Sequence, residues 1–202
     1  MAVVPKETEE TGTGKAVFID KDGTLVHDVP YNVDPRHVRL IAGAGAALRN
    51  MKNAGYKLIV ISNQSGIARG LFEEKNLLPV NRCIQSLLAE HDVSIDAFYY
   101  CPHGPADGCQ CRKPMPGMIL KAARDYDVDL QASWMIGDIL NDVEAGNRAA
   151  CHTIHLDNGS ETEWVKGNYR EPMYSVMDWM EAAEIVCQGA SSDATGGEVA
   201  HC

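Results

Sequence analysis

The chain has 202 residues and a formal net charge of −10. That length suits one domain with enough chain to bury a core, and the acidic balance argues against a nucleic-acid partner, whose polyanionic backbone calls for a basic face. No charged stretch followed by an apolar one opens the chain, and no apolar run approaches the about 18 residues a membrane helix needs, so a soluble, cytoplasmic monomer with no membrane partner is expected.

Residues 1–14 are polar and read as a flexible leader to a domain over 15–188. The first apolar run, Ala16 to Ile19, reads as a buried strand and stops at Asp20-Lys21-Asp22-Gly23-Thr24. In an open parallel α/β sheet ligands bind at the carboxyl ends of the strands, so this strand presents two carboxylates where a substrate would lie. Asp-Gly by itself signals only a turn. The apolar lead-in together with D-x-D-G-T points to phosphate chemistry. One aspartate, Asp20, can attack as a nucleophile, and the other, Asp22, can serve first as acid and then as base.

Ala47, Leu48, Met51 and Ala54 mark a helical face closed by Gly55. Leu58 to Gln64 is a second buried strand, ending in the hydroxyl of Ser62 and the amides of Asn63 and Gln64. Val80, Cys83, Ile84, Leu87 and Leu88 mark another helix, started or kinked at Pro79. A third strand is expected over 97–100, a helix from Pro116 to about Tyr126, a fourth strand at Trp134 to Gly137 before Asp138, and a helix from about Asn141 to Ala149. Thr153 to Leu156 is a fifth strand. Ser175 to Asp178 resembles a capping box for a last helix carrying Trp179, Met180, Ala183 and Val186. Residues 189–202 lack apolar periodicity and are expected to be a disordered tail. Strands alternating with helices imply a parallel sheet with right-handed crossovers.

Seven cysteines in a chain with no secretory signature favour metal binding or burial over disulfides. Cys83, Cys151 and Cys187 lie among apolar residues and read as core. Cys101, His103, Cys109 and Cys111 offer three thiolates and one imidazole, a set that suits tetrahedral zinc in a closed structural site; the competing readings are chance clustering and a redox C-x-C pair. Arg112 and Lys113 follow Cys111 directly, so a zinc-tied loop would hold both cations in place, as electrostatic catalysis requires.

Taken in order, the stretches ending at Asp20 and Ser62, the Arg112-Lys113-Pro114 step and the stretch ending at Asp138 resemble the four motifs of the haloacid dehalogenase (HAD) superfamily of phosphotransferases, over about Ala16 to Leu156. The resemblance implies a Rossmann-like three-layer α/β sandwich. Superfamily members often carry a cap domain between these motifs, but the intervals here are used up by the expected strands and helices, so the site should be open and roofed by loops. It also implies Mg²⁺ on Asp20, Asp138 and the backbone carbonyl of Asp22, with Ser62 and Lys113 on the transferring phosphoryl group. A carboxylate at Asp22 favours a phosphatase over the transport ATPases, which carry Thr there. Asp142 is either a partner behind the magnesium ligands or an ordinary acid in the first turn of a helix. C-P-H-x-P, C-x-C-R-K-P and N-Q-S-G-I-A-R-G further resemble the D,D-heptose 1,7-bisphosphate phosphatases, with the histidinol-phosphate phosphatases next and an inactive HAD-fold binding module as the rival of another class. Carried over by motif, the phosphosugar contacts are Asp28, Tyr31, Ser62, Asn63, Gln64, Ser65, Arg112 and Lys113. In this reading Arg112 addresses the distal part of the substrate; the alternative is that it props the zinc loop. Ile139, after the fourth-motif acid, stands where the heptose enzymes carry a lysine.

Overall fold

The computed structural model describes residues 13–162 and 164–193. Six strands, β1 (Lys15–Ile19), β2 (Tyr56–Asn63), β3 (Ala97–Cys101), β4 (Trp134–Gly137), β5 (His152–Leu156) and β6 (Tyr174–Val176), form one sheet in the order β3-β2-β1-β4-β5-β6, parallel throughout. Five α-helices connect or follow them: α1 (Ala44–Asn53), α2 (Leu77–Ala89), α3 (Gly117–Tyr126), α4 (Leu140–Arg148) and α5 (Trp179–Asp193).

Alternation along the strands makes the sandwich. Val17, Ile19, Leu58 and Val60 face one layer with α1, α2 and α5, while Ala16, Phe18, Ile59 and Ile61 face the other with α3 and α4. Side chains alternate faces along a strand, so a strand covered on both sides must be apolar at every position. This is why Ala16 to Ile19 and Leu58 to Ile61 are unbroken apolar runs, and each fully buried Leu or Ile contributes about 1.5–3 kcal/mol. Gly55 at φ 88° ends α1 and turns the chain into β2 within one residue. Pro79 sits in the first turn of α2, where its missing N–H costs no bond.

Three expectations are corrected. Tyr174–Val176 is a sixth strand paired with β5, so Ser175 is not a helix cap; Asp178 takes that role, accepting from the N–H groups of Met180 at 2.7 Å and Glu181 at 3.0 Å. The strand was hidden because it is short and only Val176 in it is buried. Helix α2 begins at Leu77, two residues ahead of Pro79. Helix α5 runs through Asp193, into the segment expected as a tail, because propagating an existing helix adds one bond per residue; residues 194–202 and 1–12 lie outside the described residues.

Between β1 and β2, and between β2 and β4, the chain is occupied by α1 and by α2, β3 and α3, with no room for a cap. The carboxyl ends of β1, β2 and β4 therefore open onto loops. No helix among the described residues is long and apolar enough to cross a membrane.

Candidate active site

Asp20 follows the last residue of β1, Ser62 is next to last in β2, and Asp138 follows β4; these three strands are neighbours. Register does the gathering: Ile19 pairs with Val60 and Ile136, which puts Asp20 level with Ile61 and Gly137, one residue short of Ser62 and Asp138. Two glycines make room for the acids. A Cβ at Gly23, where φ is 89°, would lie 2.1 Å from Asp138 Oδ2, and one at Gly137 would lie 2.2 Å from Asp142 Cβ.

Lys113 is the hub. Its Nζ forms a short ion pair with Asp20, sits 2.6 Å from Asp142 Oδ1 and donates to the Ile61 carbonyl at 2.9 Å. Burial alone would favour neutral Lys113, but Asp142 and Asp20 outweigh it and hold its pKa above the usual lysine range. Burial pushes the carboxyl of Asp20 well up, against the pull of Lys113, with Asp142 and Asp138 pushing the same way. Asp142 is raised for the same reasons: burial first, opposed by Lys113. Asp142 is thus the buried counter-charge of the lysine, and in the first turn of α4 it also accepts from the Ile139 N–H at 3.3 Å.

Asp138 accepts from Thr24 Oγ1 at 2.8 Å, and its carbonyl lies 3.1 Å from His155 Nε2. Asp22 points elsewhere, to the Lys21 ammonium at 2.5 Å and Gln64 Nε2 at 3.1 Å, and Gln64 also donates to Ser62 Oγ at 2.8 Å. Asp22 is the more open of the strand-end pair, 28% exposed at the side chain against 10% for Asp20. Gln64 ties the second motif to the first, which motif spacing does not reveal.

Asp20, Asp138 and Asp142 bring carboxylate oxygens within 4.8 Å of one another. Three buried acids against one buried ammonium are a surplus of negative charge that costs heavily without a cation. Asp142 Oδ1 has its ion pair but no aligned hydrogen bond. Hard oxygen donors at this spacing fit the octahedral shell of Mg²⁺, whose oxygens lie about 2.0–2.1 Å from the ion. Asp22's carboxylate lies outside the cluster, which leaves its backbone carbonyl as the donor expected of it.

The cysteine–histidine set also assembles. Cys101 Sγ lies 3.2 Å from Cys111 Sγ and 3.6 Å from Cys109 Sγ, Cys109 and Cys111 are 3.5 Å apart, and His103 Nδ1 is 3.2 Å from Cys111 Sγ. Sulfurs about 2.3 Å from a tetrahedral zinc would stand nearly as far apart. Burial raises Cys101 to about 12, aided by Cys111, and raises Cys111. In Cys109 burial also acts upward but is outweighed by hydrogen bonds, the Arg112 N–H foremost, and the thiol moves down.

Two expected substrate contacts have other work. Asn63 donates to the Lys113 carbonyl at 3.1 Å and accepts from the Lys113 N–H at 3.0 Å, so both ends of its amide hold the lysine's backbone. Arg112 Nη1 donates to the His103 carbonyl at 3.3 Å, so part of its guanidinium props the cysteine–histidine loop. Asp28 and Tyr31 lie on the loop after β1; Asp28 is near enough for Asp22 and Asp138 to add to the upward push of its partial burial. Arg112, Lys113 and Asn141 share a cavity of about 330 Å³ beside the cysteine loop. A larger cleft of about 570 Å³ lies where β2, β4 and β5 begin, lined by Tyr56, Trp134 and His152, away from the carboxylates.

A strand-end D-x-D, a buried lysine and a third acid on a parallel sheet define an aspartate-based phosphohydrolase of the HAD type. The HAD-hydrolase-like family matches residues 110–182. The chain is 41% identical over 145 residues to a D-glycero-beta-D-manno-heptose-1,7-bisphosphate 7-phosphatase of Photorhabdus laumondii, covering 68% of this chain and 77% of that one, and 43% identical over 138 residues to its counterpart in Escherichia coli K12, covering 64% and 72%. A crystal structure of D,D-heptose 1,7-bisphosphate phosphatase from B. bronchiseptica, complexed with magnesium and phosphate, superposes with a TM-score of 0.77 at 34% identity, over 86% of this chain and 98% of that one. The chain belongs to this family of heptose bisphosphate phosphatases, and it is a phosphatase.

Proposed function

We propose that the chain removes the C7 phosphate of a D-glycero-D-manno-heptose 1,7-bisphosphate through an aspartyl-phosphate on Asp20. The observation that carries this is the meeting of Asp20, Asp138 and Lys113 at the sheet's carboxyl edge, with Lys113 delivered there by the cysteine–histidine loop. The relatives named for this substrate supply the substrate class.

Asp20, ionised, attacks phosphorus in line, and the sugar oxygen leaves as it takes a proton from Asp22. Asp22 then draws a proton from water, which attacks the acyl phosphate and regenerates Asp20. Asp22 suits this double role because it is the more exposed carboxylate, on the side where a leaving group and then water can enter. Lys113 and the Ser62 hydroxyl face the equatorial phosphoryl oxygens and offset developing charge. Asp20, Asp138 and the Asp22 carbonyl would hold Mg²⁺, which supplies charge neutralisation for substrate dianion and nucleophile together. Cys101, His103, Cys109 and Cys111 would hold a structural Zn²⁺ that fixes Arg112 and Lys113. Asp28, Tyr31, Gln64, Ser65 and Arg112 line the sugar's approach in a cytoplasmic, monomeric enzyme.

The test is phosphate release from both anomers of heptose 1,7-bisphosphate, from histidinol phosphate and from hexose phosphates, compared by kcat/KM. The heptose bisphosphate is expected to lead. A lead for histidinol phosphate would overturn the substrate assignment, and no turnover on any of them would favour a binding module.

A further inference from the structure

An uncapped site must read the far end of its substrate with loops, and one side chain there is conspicuous for having nothing to bind. Arg69, on the loop after β2, is exposed, and among the described residues its guanidinium makes no hydrogen bond or ion pair. What it does have is a platform: it lies over the ring of Tyr31, 5.5 Å from the centroid. Tyr31 belongs to the loop after β1 and holds a left-handed backbone, φ 56°, rare for a residue with a Cβ. Such outliers persist only where the surroundings impose them, and they gather at ligand clamps. The stack therefore joins the loops that follow Asp20 and Ser62.

Both loops leave the sheet's carboxyl edge, at Asp20 and Ser62, so the pair belongs to the rim of the site. Asp28, three residues before Tyr31, feels the charges of Asp22 and Asp138. On the other side the Ala68 N–H donates to the Pro102 carbonyl at 3.1 Å, and a Cβ on Gly104 would lie 3.8 Å from Ala68 Cβ. The loop bearing Arg69 thus leans on the cysteine–histidine loop that carries Lys113. Lys113 is taken by Asp20 and Asp142, and Arg112 is partly spent on the His103 carbonyl. Arg69 is the guanidinium at this rim with every N–H available, because stacking uses its face and leaves its edge free.

We propose that Arg69, held on the Tyr31 ring, is the anchor for the second phosphate of the bisphosphate and so a specificity-determining residue. This rests on the bisphosphate reading given above. A dianion approaching a protein of net charge −10 has to be met by a cation away from the reacting centre, and an edge-on guanidinium binds phosphate oxygens bidentately.

The experiment compares kcat/KM on heptose 1,7-bisphosphate and on p-nitrophenyl phosphate, which has no second anion, for wild type, Arg69→Ala, Arg69→Lys, Tyr31→Phe and Tyr31→Ala. Arg49→Ala, which removes an equal charge from the exposed face of α1, serves as control. Arg69→Ala is expected to lose about ten- to a hundredfold more on the bisphosphate than on the monoester, with KM carrying most of the loss. Arg69→Lys should recover part of it. Tyr31→Phe, which keeps the ring, should lose less than Tyr31→Ala. Equal losses on both substrates, no loss, or the same selective loss in Arg49→Ala overturns the assignment of Arg69 and leaves the substrate reading intact. A wild type that acts on histidinol phosphate and on no bisphosphate overturns both.

Discussion

Asn63 holds Lys113 by both ends of one side-chain amide, donating to the lysine's carbonyl at 3.1 Å and accepting from its N–H at 3.0 Å. The sheet thus grips from one side the residue that the cysteine–histidine loop presents from the other. A lysine so held keeps its ammonium on Asp20 without having to be ordered when substrate arrives.

The first expectation follows from that grip. Asn63→Ala removes two hydrogen bonds, each contributing about 0.5–1.5 kcal/mol. kcat should fall by a similar factor on heptose bisphosphate and on p-nitrophenyl phosphate, because the lysine serves the transferring phosphoryl group in both. A loss confined to the bisphosphate would make Asn63 a substrate contact after all.

Asp20→Asn should lower phosphate release by roughly a thousandfold or more, since an amide is no nucleophile. Circular dichroism should be unchanged, because the amide is close in shape and Lys113 keeps Asp142 as a partner. Activity within tenfold of wild type would remove Asp20 from its role.

Protein purified without added metal is expected to carry one tightly held zinc per chain and no tightly held magnesium, soft donors forming one cluster and hard donors the other. Cys109→Ser should lose the zinc, and kcat and KM should both worsen as Arg112 and Lys113 lose their support. Elemental analysis with steady-state kinetics checks this. Zinc lost with kinetics intact would mean that the metal serves stability alone.

Zinc uptake should depend on pH in a set direction. In the metal-free fold Cys101 titrates near 12 and Cys111 is raised, so both are protonated at neutral pH and must shed protons to bind. Apparent zinc affinity should rise with pH up to that range and fall on acidification. Calorimetry of zinc addition in buffers of different ionisation enthalpy reads the protons released; none released would contradict thiol protonation in the free site.

Gly137→Ala should be severe for its size. The new Cβ would stand 2.2 Å from Asp142 Cβ and 2.3 Å from Asp142 Oδ2, at the end of a fully buried strand. Forced movement of Asp142 takes the counter-charge from Lys113, so activity and stability should fall together, the latter by about 1–3 kcal/mol. Chemical denaturation of the variant measures it.

Much of this was legible in the chain because the signals are local. Apolar runs with no polar position can be satisfied only by strands covered on both faces, and each ended at a polar motif, so the sheet and the carboxyl-end site followed together. Thiols and an imidazole within one short segment marked a set that could hold a metal ion, and the fold brings them together. What the chain did not disclose depends on side chains far apart in sequence. That Asp142 faces Lys113 as well as accepting the Ile139 N–H at the start of its helix, that Asn63 and Arg112 spend bonds on the lysine and the cysteine–histidine loop, and that Gln64 links Ser62 to Asp22 are consequences of register and loop closure. β6 escaped because a short, half-exposed edge strand has almost no hydrophobic pattern to read. Residue type and spacing determined which chemistry is present; only the tertiary structure decided which groups share each charge, because electrostatic and hydrogen-bond partnerships act over a few ångströms of space whatever the distance along the chain.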